Sequence, residues 1–160
     1  MRIAIIAVGK IKSGPMSDLF SHYEARLTTA GRQIGIASVS TFELPESRAS
    51  SVVQRKREEA EAIDRKIGDG SRRIVLDETG THLTSEALAD SIAGWRDAGS
   101  ANLAFVIGGA DGIDAELRRS ADLVLAFGRM TLPHQLARIV LAEQLYRSAT
   151  IIAGHPYHRS

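Results

Sequence analysis

The sequence predicts a layered α/β domain built on a parallel sheet. Short apolar, β-branched runs alternate with longer amphipathic stretches along the whole chain. Most runs are apolar at successive residues, as strands buried on both faces are. A glycine-rich turn, Gly108-Gly109-Ala110-Asp111-Gly112, leaves one run and opens a helical stretch. With 160 residues, 44% of them apolar and 24% charged, the chain is sized for a single domain over 1–160.

The first strand is expected at 3–8. Its run, MRIAIIAV, ends in Gly-Lys without a small-residue cleavage site, so it reads as a strand and not as an export signal. Further strands are expected at 34–44, 73–76, 103–107 and 123–127, with helices near 15–29, 48–67, 84–97, 114–120 and 133–148. Thr84, followed by Ser85 and Glu86, marks a helix start, and Pro133 suits the first turn of the last helix, where a missing N–H costs nothing. The 48–67 stretch holds six basic and four acidic residues and reads as a solvated face. In the last helix Leu136, Ile139, Val140, Leu141 and Leu145 spread around the circumference. That helix is expected to be buried on more than one side, against a second copy of the chain or against the chain's own tail.

Absent cysteine excludes disulfides, a thiolate nucleophile and cysteine-ligated metals. No apolar run approaches the ~18 residues of a membrane helix, and the expectation is a soluble, cytoplasmic protein with no membrane partner. Charge is unevenly spread. Residues 117–160 carry six Arg and no Lys against Asp122 and Glu143, a net +4, whereas 1–116 are net −3. Arginine suits bidentate contact with phosphate, and the asymmetry favours a nucleic acid or another polyanion as partner.

Four segments carry candidate chemistry. The Gly108–Gly112 turn brings backbone N–H groups toward a ligand, but its GGxxG spacing is not the dinucleotide fingerprint. Leu76-Asp77-Glu78-Thr79-Gly80 and Phe127-Gly128-Arg129-Met130-Thr131-Leu132-Pro133-His134 follow two other predicted strands. Ligands in open parallel sheets bind at strand carboxyl ends, so these three loops are expected to share one crevice. The acids Asp77, Glu78, Asp111 and Asp114 read as turn or cap residues. The fourth segment, His155-Pro156-Tyr157-His158-Arg159, offers groups that stack on a base, bind phosphate or move a proton. His155 and His158 have a metal-ligand spacing without a third ligand, and no metal is expected.

IAVGKIK, VLDETGTHLTSEALA, FVIGGADGID and MTLPHQLARIVLAEQLYRSATIIAGHPYH together resemble the SPOUT-class rRNA methyltransferase family known as RlmH, over essentially the whole chain. The resemblance implies a trefoil-knotted α/β fold with a mostly parallel sheet flanked by helices, a homodimer, and S-adenosylmethionine as methyl donor. It also implies methylation at N3 of a pseudouridine in 23S rRNA of the large subunit, with the assembled ribosome as the expected substrate. Carried over by residue, the cofactor pocket falls on Leu76, Gly108, Gly109, Gly128, Arg129, Met130, Thr131, Leu132 and Pro133. Family members usually have Ser where Gly128 stands, so a hydroxyl contact made there passes to backbone or water in this chain. The tail resembles a segment that completes the site from the partner subunit. On that reading Tyr157 and His158 are catalytic, with Arg138 beside them and Glu143 as an alternative, while Arg129, His134 and Arg159 contact RNA.

Overall fold

The computed structural model describes residues 1–158. Five parallel strands form one sheet in the order β2-β1-β4-β3-β5: β1 Arg2–Val8, β2 Ser38–Leu44, β3 Arg72–His82, β4 Asn102–Ile107 and β5 Leu123–Ala126. The helices are α1 Pro15–Gln33, α2 Val52–Asp64, α3 Ser85–Asp97, α4 Ala115–Arg119 and α5 His134–Ile152, followed by a 3-10 turn at Pro156–His158. Alternation along the strands divides the core. Ile3, Ile5, Phe105 and Ile74 face the α1, α3 and α5 layer. Ile6, Val8, Val106 and Val75 face α2 and α4. The central strands are buried on both faces, as expected, whereas the edge strand β2 is largely half-exposed.

The caps explain most boundaries. Ser51, Thr84 and Asp114 accept backbone N–H bonds from Gln54, from Ala87, and from Glu116 and Leu117, which starts α2, α3 and α4. The expected strand at 34–44 begins only at Ser38, because Gly35 (φ +81°) closes α1 in a Schellman motif: Ile36 N–H bonds Gly31 O and Gly35 N–H bonds Arg32 O. The same pair of bonds ends α3 at Gly99 and α5 at Gly154. Helix α5 therefore runs to Ile152 rather than 148, and Pro133 stands at its N-cap instead of inside its first turn. The charged stretch yields a helix only over Val52–Asp64.

Strand β3 departs most from expectation. It pairs with β5 through Ile74–Leu76, bulges out over residues 77–80, and returns to pair Thr81 with Leu125 and His82 with Ala126. The return path passes so close that a Cβ on Gly80 would sit 2.6 Å from the Val124 carbonyl oxygen and 2.9 Å from the Leu125 carbonyl carbon. Backbone cannot yield as a side chain does, so Gly80→Ala is expected to cost ~1–3 kcal/mol and to lower Tm by about 2–4 °C per kcal/mol. Gly94, inside α3 with open space around its Cβ position, is the control. Gly94→Ala is expected to raise stability, and equal midpoints for the two variants in thermal unfolding would refute the close approach.

Candidate functional site: a glycine-lined cleft at the strand ends

Because all five strands run in one direction, the loops that leave them gather on one rim. A cleft of about 850 Å³ opens there, within the size range of small-molecule and cofactor sites. Its wall includes Leu76 from β3, Gly108 and Gly109 after β4, and Gly128, Met130, Thr131, Leu132 and Pro133 after β5. The three loops expected to meet do so. Arg129 belongs to the third loop, but its side chain is exposed and does not line the cleft. Met130, 83% exposed, and Leu132 present apolar side chains at the rim.

The glycines are there for space. A Cβ on Gly108 would meet Ile113 Cδ1 at 2.9 Å and the Gly112 carbonyl carbon at 3.0 Å, and Gly112 N–H bonds Gly109 O at 3.0 Å to close the turn. Gly128 has φ +149° with nothing within 4 Å of its Cβ position. Backbone geometry, not crowding, fixes glycine there, so a serine at this position would need a differently shaped loop.

The acids of the cleft are committed to structural partners. Burial pushes the Asp77 carboxyl up, but the hydroxyl and N–H of Thr79 and the nearby Arg118 outweigh it and hold Asp77 below the usual carboxylate range. Arg55 forks onto Asp111 (Nε to Oδ2 2.6 Å, Nη2 to Oδ1 3.2 Å) and lowers that carboxyl too. Glu78 accepts from the Thr131 hydroxyl at 2.8 Å, tying the β3 loop to the β5 loop across the cleft. Asp114 caps α4. These acids are anchors of the loops, as their turn and cap reading anticipates.

His134, the first residue of α5, lines the cleft. Its Nε2 lies 3.4 Å from the Cβ position of Gly9, and Glu46 Oε1 lies 3.1 Å from the same point. Arg138, one turn further on, is a correction to the sequence expectation. Its side chain is fully buried and outside the cleft wall, donating to Glu43 and to Gly9 O at 2.9 Å. It positions the elements around it rather than touching a substrate. Glu143 pairs with Arg147 at 2.7 Å.

Tyr157 packs on the chain's own α5. Its hydroxyl donates to Glu143 Oε1 at 3.2 Å, and its ring lies 4.6 Å from that of Tyr146 with the Arg147 guanidinium 5.0 Å above. Glu143 is nine residues along α5 from His134, about 13 Å at 1.5 Å per residue, so Tyr157 sits well away from its own cleft. Arg159 and the His158 side chain lie outside the described residues. Ile139, Leu141 and Leu145 are buried within one chain, where α1, α3 and the tail pack on α5, whereas Leu136 is exposed and Val140 half-exposed, so part of the apolar circumference stays uncovered. Sequence reasoning missed Lys56, Arg118 and Ala137 in the cleft wall and Glu59 behind it. The signal for Glu59 was its place beside Ala60 and four residues before Ile63, on the one buried stripe of a charged helix.

Residues 1–158 match the family model described as "Predicted SPOUT methyltransferase". The chain belongs to the SPOUT methyltransferase family. It is 51% identical over 160 residues to Ribosomal RNA large subunit methyltransferase H of Bradyrhizobium diazoefficiens, and 51% identical to the protein of that name in Brucella anthropi. Both alignments cover 100% of each chain. Among solved structures it shares the fold of a probable methylase family protein from Haemophilus influenzae Rd KW20. That match has a TM-score of 0.50 and 14% identity, covering 99% of this chain and 70% of that one. Among the described residues no helix is long and apolar enough to cross a membrane, and no group of three or more His, Asp or Glu is placed to hold a metal.

Burial pushes the Tyr157 phenol up to about 12, with the Glu143 charge adding to the rise. The phenol is thus protonated at neutral pH and acts as a donor. A raised folded-state value favours the protonated form, so its contribution to tail docking is complete below the ordinary tyrosine value of about 10. It is lost as pH climbs from there toward about 12. In a tyrosinate absorbance titration, Tyr157→Phe is expected to remove a late-titrating phenol. A variant that instead loses an ordinary phenol would contradict the docked geometry.

Proposed function

We propose that this SPOUT family member transfers the methyl group of S-adenosylmethionine to large-subunit ribosomal RNA. The observation that carries this reading is 51% identity, over the full length of both chains, to proteins named for that activity. The cleft fits the donor: the Gly108–Gly109 turn forms part of its wall without side chains to fill it, and Leu76, Leu132 and Pro133 give apolar surface for a flat base. S-adenosylmethionine, when bound, supplies a methyl group already activated on a sulfonium. The protein's work is then alignment of the two reacting centres and removal of a proton.

The finer reading is methylation at N3 of a pseudouridine in 23S rRNA, on the assembled ribosome, by a cytoplasmic homodimer. The chain acts as one domain, since all five strands share one sheet, and it carries the family's trefoil knot. Arg129, exposed beside the cleft, and His134 at its lip face the RNA, with Arg159 holding phosphate. Tyr157 and His158 orient the target base. The docking of Tyr157 about 13 Å along α5 from its own cleft supports action at a second subunit's cleft. Asp77 and Asp111 are engaged by Thr79 and Arg55, so the N3 proton leaves through the tail or His134.

Two experiments test this. Labelled S-adenosylmethionine and ribosomes lacking the modification are expected to yield N3-methylpseudouridine by nucleoside mass spectrometry. A ribose-methylated product or a label on tRNA would displace the reading. Leu76→Arg, with a blocked cleft, and Tyr157→Ala, with a defective tail, are each expected to be inactive. Mixed and allowed to exchange subunits, they are expected to recover about a quarter of wild-type activity through hybrid dimers. No recovery would show that the tail does not act in trans.

A further inference from the structure

The buried carboxylate of Glu59 has no place in the chemistry above. It lies on α2, 7% exposed, and it does not line the cleft. Its Oε1 accepts the Ser47 N–H at 3.0 Å. Its two oxygens lie 2.9 and 3.3 Å from the point where a Cβ on Gly109 would stand, and Val8 Cγ1 is 3.0 Å from that point. Gly109 is therefore wedged between the end of β1 and a carboxylate on α2, while it also forms part of the cleft wall. One turn earlier on α2, Arg55 makes its fork to Asp111 and gives Nη1 to Ala49 O at 3.0 Å and Ser50 O at 3.3 Å. Two successive turns of one helix thus hold two residues of a single glycine turn. Helix α2 is itself anchored by Ala60 and Ile63 against the sheet.

We propose that α2 clamps the Gly108–Gly112 turn, with Glu59 as a positioning residue that sets the cleft wall for the methyl donor. This rests on the reading of the cleft as the S-adenosylmethionine site. A buried carboxylate is costly to keep, and a residue that only filled space here would be apolar. Glu59 and Val8 define the gap that Gly109 occupies, and the Arg55–Asp111 fork fixes the turn along the rim. Loss of either lets the turn relax toward α2 and away from the ligand, which weakens donor binding more than it affects the approach of RNA.

The test is calorimetric titration of the intact protein with S-adenosylmethionine, alongside steady-state kinetics on ribosomes. Glu59→Ala is expected to raise the Kd and KM for S-adenosylmethionine about tenfold, with the ribosome KM within about twofold of wild type. Glu59→Gln keeps an acceptor for Ser47 N–H and is expected to recover much of the affinity. Arg55→Lys loses the fork and is expected to weaken binding about threefold. Arg57→Ala, on the solvent side of the same helix, is expected to leave the Kd unchanged. If folded Glu59→Ala binds the donor as wild type does, the clamp is overturned. Should Glu59→Ala fail to fold, wild-type affinity in Arg55→Lys overturns it equally. Wild-type protein that takes up no S-adenosylmethionine at all defeats the reading of the cleft instead, a result separate from unaltered affinity in the variants.

Discussion

A guanidinium with no exposed surface ties the last helix to the first two strands. Arg138 is among the largest fully buried side chains, and its charge is met by Glu43 from β2 and by the Gly9 carbonyl at the end of β1. Burial pulls the guanidinium down from its ordinary value, and Glu43 opposes that pull. Its Nε finds no partner among the described residues. Such a group is costly to bury, yet removing one partner costs ~3–5 kcal/mol because the other is left as an uncompensated charge. Exchange for an apolar pair is the cheaper solution energetically, so the retained ion pair serves geometry. It fixes α5 against the rim, which sets His134 beside Gly9 and fixes the end of the Gly128–Pro133 loop that walls the cleft.

The same economy governs the cleft's charges. Asp77, Glu78, Asp111 and Asp114 would make an acidic pocket if they were free, but each is turned onto a hydroxyl, a guanidinium or a helix start. Their partners, Thr79, Thr131, Arg55 and the first N–H groups of α4, are the groups that shape the loops. The bonds that engage these acids are thus the bonds that shape the loops. The wall left facing the cleft is mainly glycine backbone and apolar side chain, and the rim keeps Arg129, Lys56 and exposed Met130. A flat, partly apolar ligand fits the interior, and a polyanion fits the edge.

The strands and the convergence of three loops were legible because a parallel sheet writes itself as apolar runs, and its direction dictates where the loops fall. The strand at 34–44 misled because Ile34 and Ile36 are apolar for a different reason: Ile36 packs over Gly31 in the helix closure that Gly35 permits. The second half of β3 was invisible, since Asp77-Glu78-Thr79-Gly80 has turn composition and its return to β5 depends on pairing with residues 44 positions away in sequence. Glu59 was hidden by its neighbours. Its one local mark, a place beside Ala60 and four residues before Ile63, is faint in a helix dense in charge, and the sheet beneath it gives the position meaning.

Arg138 and the circumference of α5 mark the limit of residue-type reasoning. An arginine in a basic C-terminal third reads as a phosphate ligand, and a helix apolar all round reads as half of an interface. Both inferences assume that the chain cannot satisfy these groups by itself. Here it does so for the guanidinium, which Glu43 and Gly9 take, and for one side of the helix, which α1, α3 and the Tyr157 tail cover, while Leu136 on the other side stays exposed. Tyr157 packs its tilted ring against Tyr146 and bonds Glu143 midway along α5, with Arg147 over its ring. A tail so placed cannot bend back to its own cleft without abandoning every one of those contacts.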